Sequence, residues 1–201
     1  IAALGHGATT ATSAVEAHAD AVATRLASRL ELAGRSRALA RLERRRATEL
    51  GAPIVVAIPR ALAAAEAWAR VGEDDEAVRD LSRVLEWGAS LPLASAQVGE
   101  ALDALERLAR RRGDVRRIVD ALDRRARFVV GAEARARVRL EQAEALAAAG
   151  APAEAIARLA QARTELPRSR SIAARLAREA KRQGLLELWA EAEAHLAALA
   201  D

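Results

Sequence analysis

Apolar residues in this chain recur every three or four positions, and charged residues fill the gaps between them. One stretch shows the texture well. Leu102, Leu105 and Leu108 form one stripe, and after a glycine Val115, Ile118, Val119, Leu122, Ala126 and Val129 form another. Spacings of three and four place such residues on one face of a helix, turned towards a core. The only strand-like segment, "PIVVAIP", is too short to decide anything. Five glycines punctuate the pattern at Gly34, Gly72, Gly113, Gly150 and Gly184, at intervals of 38, 41, 37 and 34 residues. Each follows a helical stretch, where a left-handed backbone is needed and glycine adopts it at little steric cost. Helix-starting residues come soon after: Ser36, the acidic cluster Glu73-Asp74-Asp75, Asp114, and Pro152 near a first turn.

This punctuation predicts five helix pairs, over about 12–50, 54–87, 94–130, 132–165 and 169–200, behind a flexible lead at 1–11. Ser13-x-x-Glu16 fits a capping box for the first helix. Breaks fall at "GAP" (51–53), "ASLP" (89–92), Gly131 and "LPRS" (166–169). A two-helix unit cannot bury both of its apolar faces alone, but stacked units can. The expected fold is therefore all-α: an α-solenoid of about five antiparallel helical hairpins in one domain over 12–201. The last helix keeps Leu186, Trp189, Leu196 and Leu199, as a cap or as a surface for a further unit or a second copy.

The fourth unit, "ARVRLEQAEALAAAGAPAEAIARLAQARTELP", resembles a tetratricopeptide repeat. Gly150 falls at that family's inter-helix turn, Ala155 and Ala162 at its small positions, Ile156 and Leu159 at apolar neighbours, and Pro167 at its closing proline. The second unit fits through Trp68, Gly72, Ala77, Val78 and Leu81, with Pro92 displaced. The third and fifth keep the period but lose most signature residues; Ile118 replaces the small residue in the third. The motif thus covers about 70 residues, and the remainder shares only the architecture. The resemblance implies a tetratricopeptide-like superhelix whose first helices line a concave face that binds peptides and protein segments.

Composition narrows the picture. Hydrophobic residues make up 52% and charged residues 30% of the 201, with three Trp and one Phe, so the chain can form a helical core. Of the 32 basic residues only Lys181 is lysine, and there is no Asn or Met, a bias expected of a GC-rich bacterial genome. Zero cysteine removes disulfides and thiolate chemistry. The cytoplasm is the expected compartment, with the periplasm as the alternative. A first residue that is Ile suggests a processed chain or a piece of a longer protein.

The charge is uneven. From Arg107 to Arg127 nine Arg face three Asp, a net of +6, against +4 for the whole chain, so the rest sums to −2. Asp103–Arg107, Glu106–Arg110, Asp120–Arg124 and Asp123–Arg127 are i,i+4 pairs with the acid first, the arrangement of a solvated helix face. Transferred by position, the tetratricopeptide resemblance puts Asp103, Arg107, Arg110 and Arg111 on the concave face of the third unit. It puts Glu141 and Glu144 there in the fourth, and Arg175, Arg178, Lys181 and Arg182 in the fifth. Basic patches separated by an acidic one suit an acidic or mixed-charge protein segment. The family's Lys/Asn clamp on a terminal carboxylate is not expected in a chain without Asn.

No catalytic motif accompanies this. "GHGATTATS" lacks the Gly-Lys-Ser/Thr ending of a phosphate-binding loop. His195 follows Glu191 by one turn, a single pair where a zinc site needs three or four ligands. Trp68, Trp87 and Trp189 are expected in the core. A nucleic-acid surface would interleave stacking aromatics with its cations, and here they are missing. The expectation is a non-catalytic protein-interaction scaffold without cofactor or metal, part of a larger bacterial protein or complex. Two alternatives are an Arg-rich nucleic-acid binder and an accessory domain of an enzyme catalysing elsewhere.

Overall fold

The computed structural model describes residues 6–48, 53–91 and 95–200, with side chains from Ala17 onward. Among these residues there are ten helices and no strand: α1 (His6–Leu32), α2 (Ser36–Thr48), α3 (Ile54–Arg70), α4 (Asp74–Gly88), α5 (Ser95–Arg112), α6 (Val115–Phe128), α7 (Ala132–Ala148), α8 (Pro152–Glu165), α9 (Arg170–Arg182) and α10 (Leu186–Ala198). They gather into two compact units, Ile1–Ala101 and Leu102–Asp201, divided within α5. The all-α class and the helical-hairpin repeat expected from the sequence are both present.

The hairpin turns share one construction. At Gly150 (φ 74°) the N–H donates to Ala147 O at 3.1 Å, and Ala151 N–H reaches back to Leu146 O at 2.9 Å. This is the Schellman closure, in which a left-handed residue satisfies carbonyls that the helix end leaves open. Gly34, Gly72, Gly113 and Gly184 repeat it, with φ of 65–76°. Gly131 differs: φ 94° and ψ 146° make it the N-cap of α7, a backbone region almost closed to other residues. Side-chain caps start the next helices at Asp114, which accepts from Arg117 N at 3.1 Å, and at Ser169, which accepts from Ile172 N at 3.4 Å.

Some local expectations change. α1 begins at His6, so 6–11 are helical rather than a lead, and 1–5 lie outside the described residues. Ser13 and Glu16 fall inside α1, so they are not a capping box at its start. Ser36 is the first helical residue of α2, and Arg35 precedes it. Most of "GAP", and Pro92 of "ASLP", lie outside the described residues. Pro53 caps α3, and "IVVAIP" is helical, with Pro59 tolerated near its start. Burial outweighs β-branched propensity there: Ala57 and Ile58 are buried, while Ile54, Val55 and Val56 stay exposed. Trp68 is buried, but Trp87 and Trp189 are only half-buried.

In unit 1, α3 packs between α2 and α4 and buries Ile58, Leu62 and Trp68. α1 rests on α2, and its Asp20 receives Arg46 of α2 at 3.1 Å and Arg60 of α3 at 2.6 Å. In unit 2 one apolar cluster runs from Val119 on α6 through Leu146, Ile156, Leu159 and Leu176 to Ala192 on α10. Alanines occupy many close-approach points: Ala143, Ala155, Ala162, Ala173 and Ala180 are all at most 3% exposed. The apolar residues read from the fourth unit are thus core residues.

Candidate functional site

The candidate residues from Arg107 onward all belong to unit 2. On α5, Asp103 lies three and four residues before Glu106 and Arg107, and Arg110 four and three after them, so the four share a helix face. With Arg125 of α6 and Glu141 of α7 they line a cleft of about 330 Å³. Three cations thus face three anions. Arg125 bridges Asp103 Oδ1 at 2.6 Å and Glu106 Oε2 at 2.7 Å, and Arg110 meets the other Glu106 oxygen at 2.5 Å. Glu106 is therefore buried but doubly compensated, as a carboxylate withdrawn from water must be. Arg107 and Glu141 have no ion-pair partner among the described residues.

The other candidates divide. Glu144 on α7 pairs with Arg175 on α9 at 2.6 Å, so an ion pair joins these two first helices of successive hairpins. Arg178 is exposed and unpaired among the described residues, whereas Arg182 bonds Glu179 on its own helix at 3.1 Å. Lys181 lies 5.0 Å from the centroid of the Trp189 ring, a cation–π contact. Arg111 is exposed, has a partner elsewhere, and does not line the cleft.

Arg125 escaped the sequence reading, as did the true partners of two aspartates. Glu106–Arg110 forms as expected, but Asp103 turns to Arg125 on the next helix. Asp123 bonds Arg139 on α7 at 2.5 Å and Arg158 on α8 at 3.0 Å rather than an arginine of its own helix. Helix-surface rules see only neighbours within one helix. An arginine facing acids on the preceding helix would have been the signal, and reading it requires the hairpin register.

Asp123 is the polar hub beneath this face. Beside it Gln142, fully buried, donates to Val119 O at 3.2 Å and accepts from Arg139 at 2.9 Å, tying α6 to α7. Burial alone pushes the Asp123 carboxyl up. Hydrogen bonds from Gln142 and Arg139 and the charges of Arg158 and Arg139 outweigh that and hold it below the usual carboxylate range. A lowered folded-state pKa gives stability that is present above about pH 4 and lost as pH falls through the folded value. Asp123→Asn is expected to lower stability by about 1–2 kcal/mol at pH 7 and to flatten the loss in acid. Thermal melts at pH 7 and pH 3, followed by Trp189 fluorescence, measure both; an unchanged acid slope would contradict this role for Asp123.

Histidine chemistry stays local. His195 Nε2 lies 2.6 Å from Pro167 O, and Glu191 pairs with Arg163 at 2.6 Å. Among the described residues no group of three or more His, Asp or Glu is placed to hold a metal ion. No described helix is long and apolar enough to cross a membrane.

No protein-family model and no curated protein matches the sequence. Solved structures do. The nearly identical TPR-like repeats of a Podosopora anserina protein assigned as a kinesin light chain align over 89% of this chain and 93% of theirs, with 21% identity and a TM-score of 0.41. A MamA point mutant aligns over 89% of this chain and 96% of its own, with 18% identity and a TM-score of 0.39. MamA of MSR-1 aligns over 88% and 92%, with 18% identity and a TM-score of 0.38. The chain is similar to helical-repeat proteins.

Proposed function

We propose that this chain is a non-catalytic docking module, which holds a segment of a partner protein against the first helices of the hairpins in unit 2. It would serve as a scaffold within a larger bacterial protein or complex. The cleft carries this reading. Side chains of α5 and α7, both first helices, converge there with Arg125, and two of the six charged groups lining it are uncommitted. The Glu144–Arg175 pair continues the same kind of surface onto α9, where Arg178 and Arg182 lie beyond it. The tetratricopeptide resemblance supports the choice of face.

The arginine accounting speaks against nucleic acid. Of the nine arginines from Arg107 to Arg127, Arg110, Arg117 and Arg125 are bonded to carboxylates, and Arg111, Arg112 and Arg124 also have partners. Among the described residues that leaves Arg107, Arg116 and Arg127. Phosphate-backbone affinity grows with the number of phosphates neutralised, and three scattered cations offer few.

A display selection of short random peptides on the full chain tests the proposal. Enriched peptides are then titrated by fluorescence anisotropy. The double variant R107E/R110E is expected to weaken them at least tenfold, or about 1.4 kcal/mol, while Arg116→Glu on α6 leaves them unchanged. Equal affinity for R107E/R110E and the unmodified chain would mean that the cleft is not the docking site.

A further inference from the structure

We infer that the cleft selects a partner segment presenting a carboxylate and a cation side by side, and discriminates against an acidic tract. The inference rests on the docking reading and adds the chemistry of the occupant.

Its basis is which charges are already spent. Arg125 is held by both Asp103 and Glu106, at 2.6 and 2.7 Å, and Arg110 is held by Glu106 at 2.5 Å. A carboxylate arriving from outside would have to share either guanidinium with the acids already bonded to it, which neutralise much of its charge. Arg107 alone among the cations of the cleft is uncommitted, and Glu141 alone among the anions. They are not paired with each other. One open donor and one open acceptor group therefore sit in one concavity.

The background field works in the same direction. The six lining residues sum to zero, so neither sign of ligand is drawn in as a block. A run of acidic residues placed against Arg107 would bring its other carboxylates against Asp103, Glu106 and Glu141. A basic run would meet Arg107, Arg110 and Arg125 in the same way. Like-charge juxtaposition of this kind is how interfaces reject wrong partners. A segment carrying one of each sign meets Arg107 with its acid and Glu141 with its base, and pays neither repulsion. The volume of about 330 Å³ lies at the small end of ligand clefts, enough for a few side chains rather than a folded surface. The wall is also pre-organised, because ion pairs between α5 and α6 already fix Asp103, Glu106 and Arg125 before anything binds.

The peptides enriched on the full chain supply the probes. They are expected to carry Asp or Glu within a few residues of Lys or Arg. Arg107→Glu and Glu141→Arg are each expected to weaken them about tenfold. The exchange R107E/E141R is expected to restore binding to peptides in which the acidic and basic positions are interchanged. Circular dichroism melts of each variant confirm that it is folded. Enrichment of polyacidic peptides that bind more tightly to Glu141→Arg would overturn the inference and leave the docking reading standing. Peptides indifferent to both substitutions, or no enrichment at all, would remove both together.

Discussion

Asp80→Ala is expected to destabilise unit 1 by about 3 kcal/mol, far more than the loss of an ordinary surface ion pair. Asp80 is 1% exposed and receives three contacts from Arg44: Nε at 2.9 Å to each oxygen and Nη2 at 2.8 Å to Oδ2. Arg83 adds a fourth at 3.2 Å. Arg44 itself is wedged in place, 5.1 Å from the centroid of the Trp68 ring, with Glu76 Oε2 at 2.5 Å and the Glu76 carbonyl at 3.1 Å. Removing the carboxylate leaves a largely buried guanidinium without its principal partner. Its remaining bonds to Glu76 place the loss at the low end of the range for breaking a buried pair.

The size of that loss does not measure what the pair contributes. Burial pushes the Asp80 carboxyl up against the pull of Arg44, so ionisation there works against the fold. With a raised folded-state pKa, the contribution of this group is fully present below about pH 4 and is lost as pH rises through the folded value. Asp80→Asn, which keeps the shape and drops the charge, is therefore expected to be milder than Asp80→Ala. The apolar exchange R44L/D80L is expected to return close to the unmodified stability, since replacing both members removes both desolvation costs. Urea unfolding at pH 7 reads the series, with Trp189→Phe in the background so that Trp68 and Trp87 report on unit 1. An Asp80→Ala variant as stable as R44L/D80L would refute the argument.

How far such features could be read in advance depends on their range. The hairpin turns were legible because a Schellman closure needs only a glycine and the helix before it. The core stripes were legible because 3.6-residue periodicity is local. Placing Arg107, Arg110, Glu141 and Glu144 on first helices needed only the hairpin order. The ionic contacts between hairpins were not legible, because they depend on register. Arg44 stands ten residues after Gly34, and Asp80 eight after Gly72. Asp123 stands ten after Gly113, and Arg158 eight after Gly150. Both pairs join the same two positions of successive hairpins, with the signs exchanged. At the same positions counted from Gly150 and Gly184 stand Ala160 and Ala192, so the fourth and fifth hairpins use small apolar residues instead. The pattern is simple once aligned on the turns, yet it is invisible to any rule that looks four residues along one helix. The start of α1 was misjudged for a related reason. Small and β-branched residues such as Ala8, Thr9 and Thr10 carry little periodic signal, although their backbone is helical.

Leu176→Ala is expected to remove about 3–4 kcal/mol, and to remove it unevenly along unit 2. Leu176 is fully buried on α9, in the cluster that includes Leu146, Ile156, Leu159 and Ala192. Four members of that cluster are alanines, Ala143, Ala155, Ala177 and Ala192. They have no longer side chains to swing into the space, so the cavity persists and the loss falls in the upper part of the range for such truncations. Leu186→Ala, at a position 67% exposed, is the matched control and is expected to stay within about 0.5 kcal/mol. In a repeat array each hairpin leans chiefly on its neighbours, so damage at the last one spreads poorly. Hydrogen exchange of Leu176→Ala is therefore expected to accelerate first in α9 and α10, while α6 and α7 retain protection close to that of the unmodified chain. This pattern also separates the two parts of the proposed docking face. Arg175 and Arg178 ride on α9 and would be lost with it. The cleft of Arg107 and Glu141 would survive, because α6 and α7 are joined through Asp123–Arg139 and Gln142–Val119. Uniform acceleration across α6–α10 would instead make unit 2 a single cooperative block, in which the cleft and the α9 arginines stand or fall together.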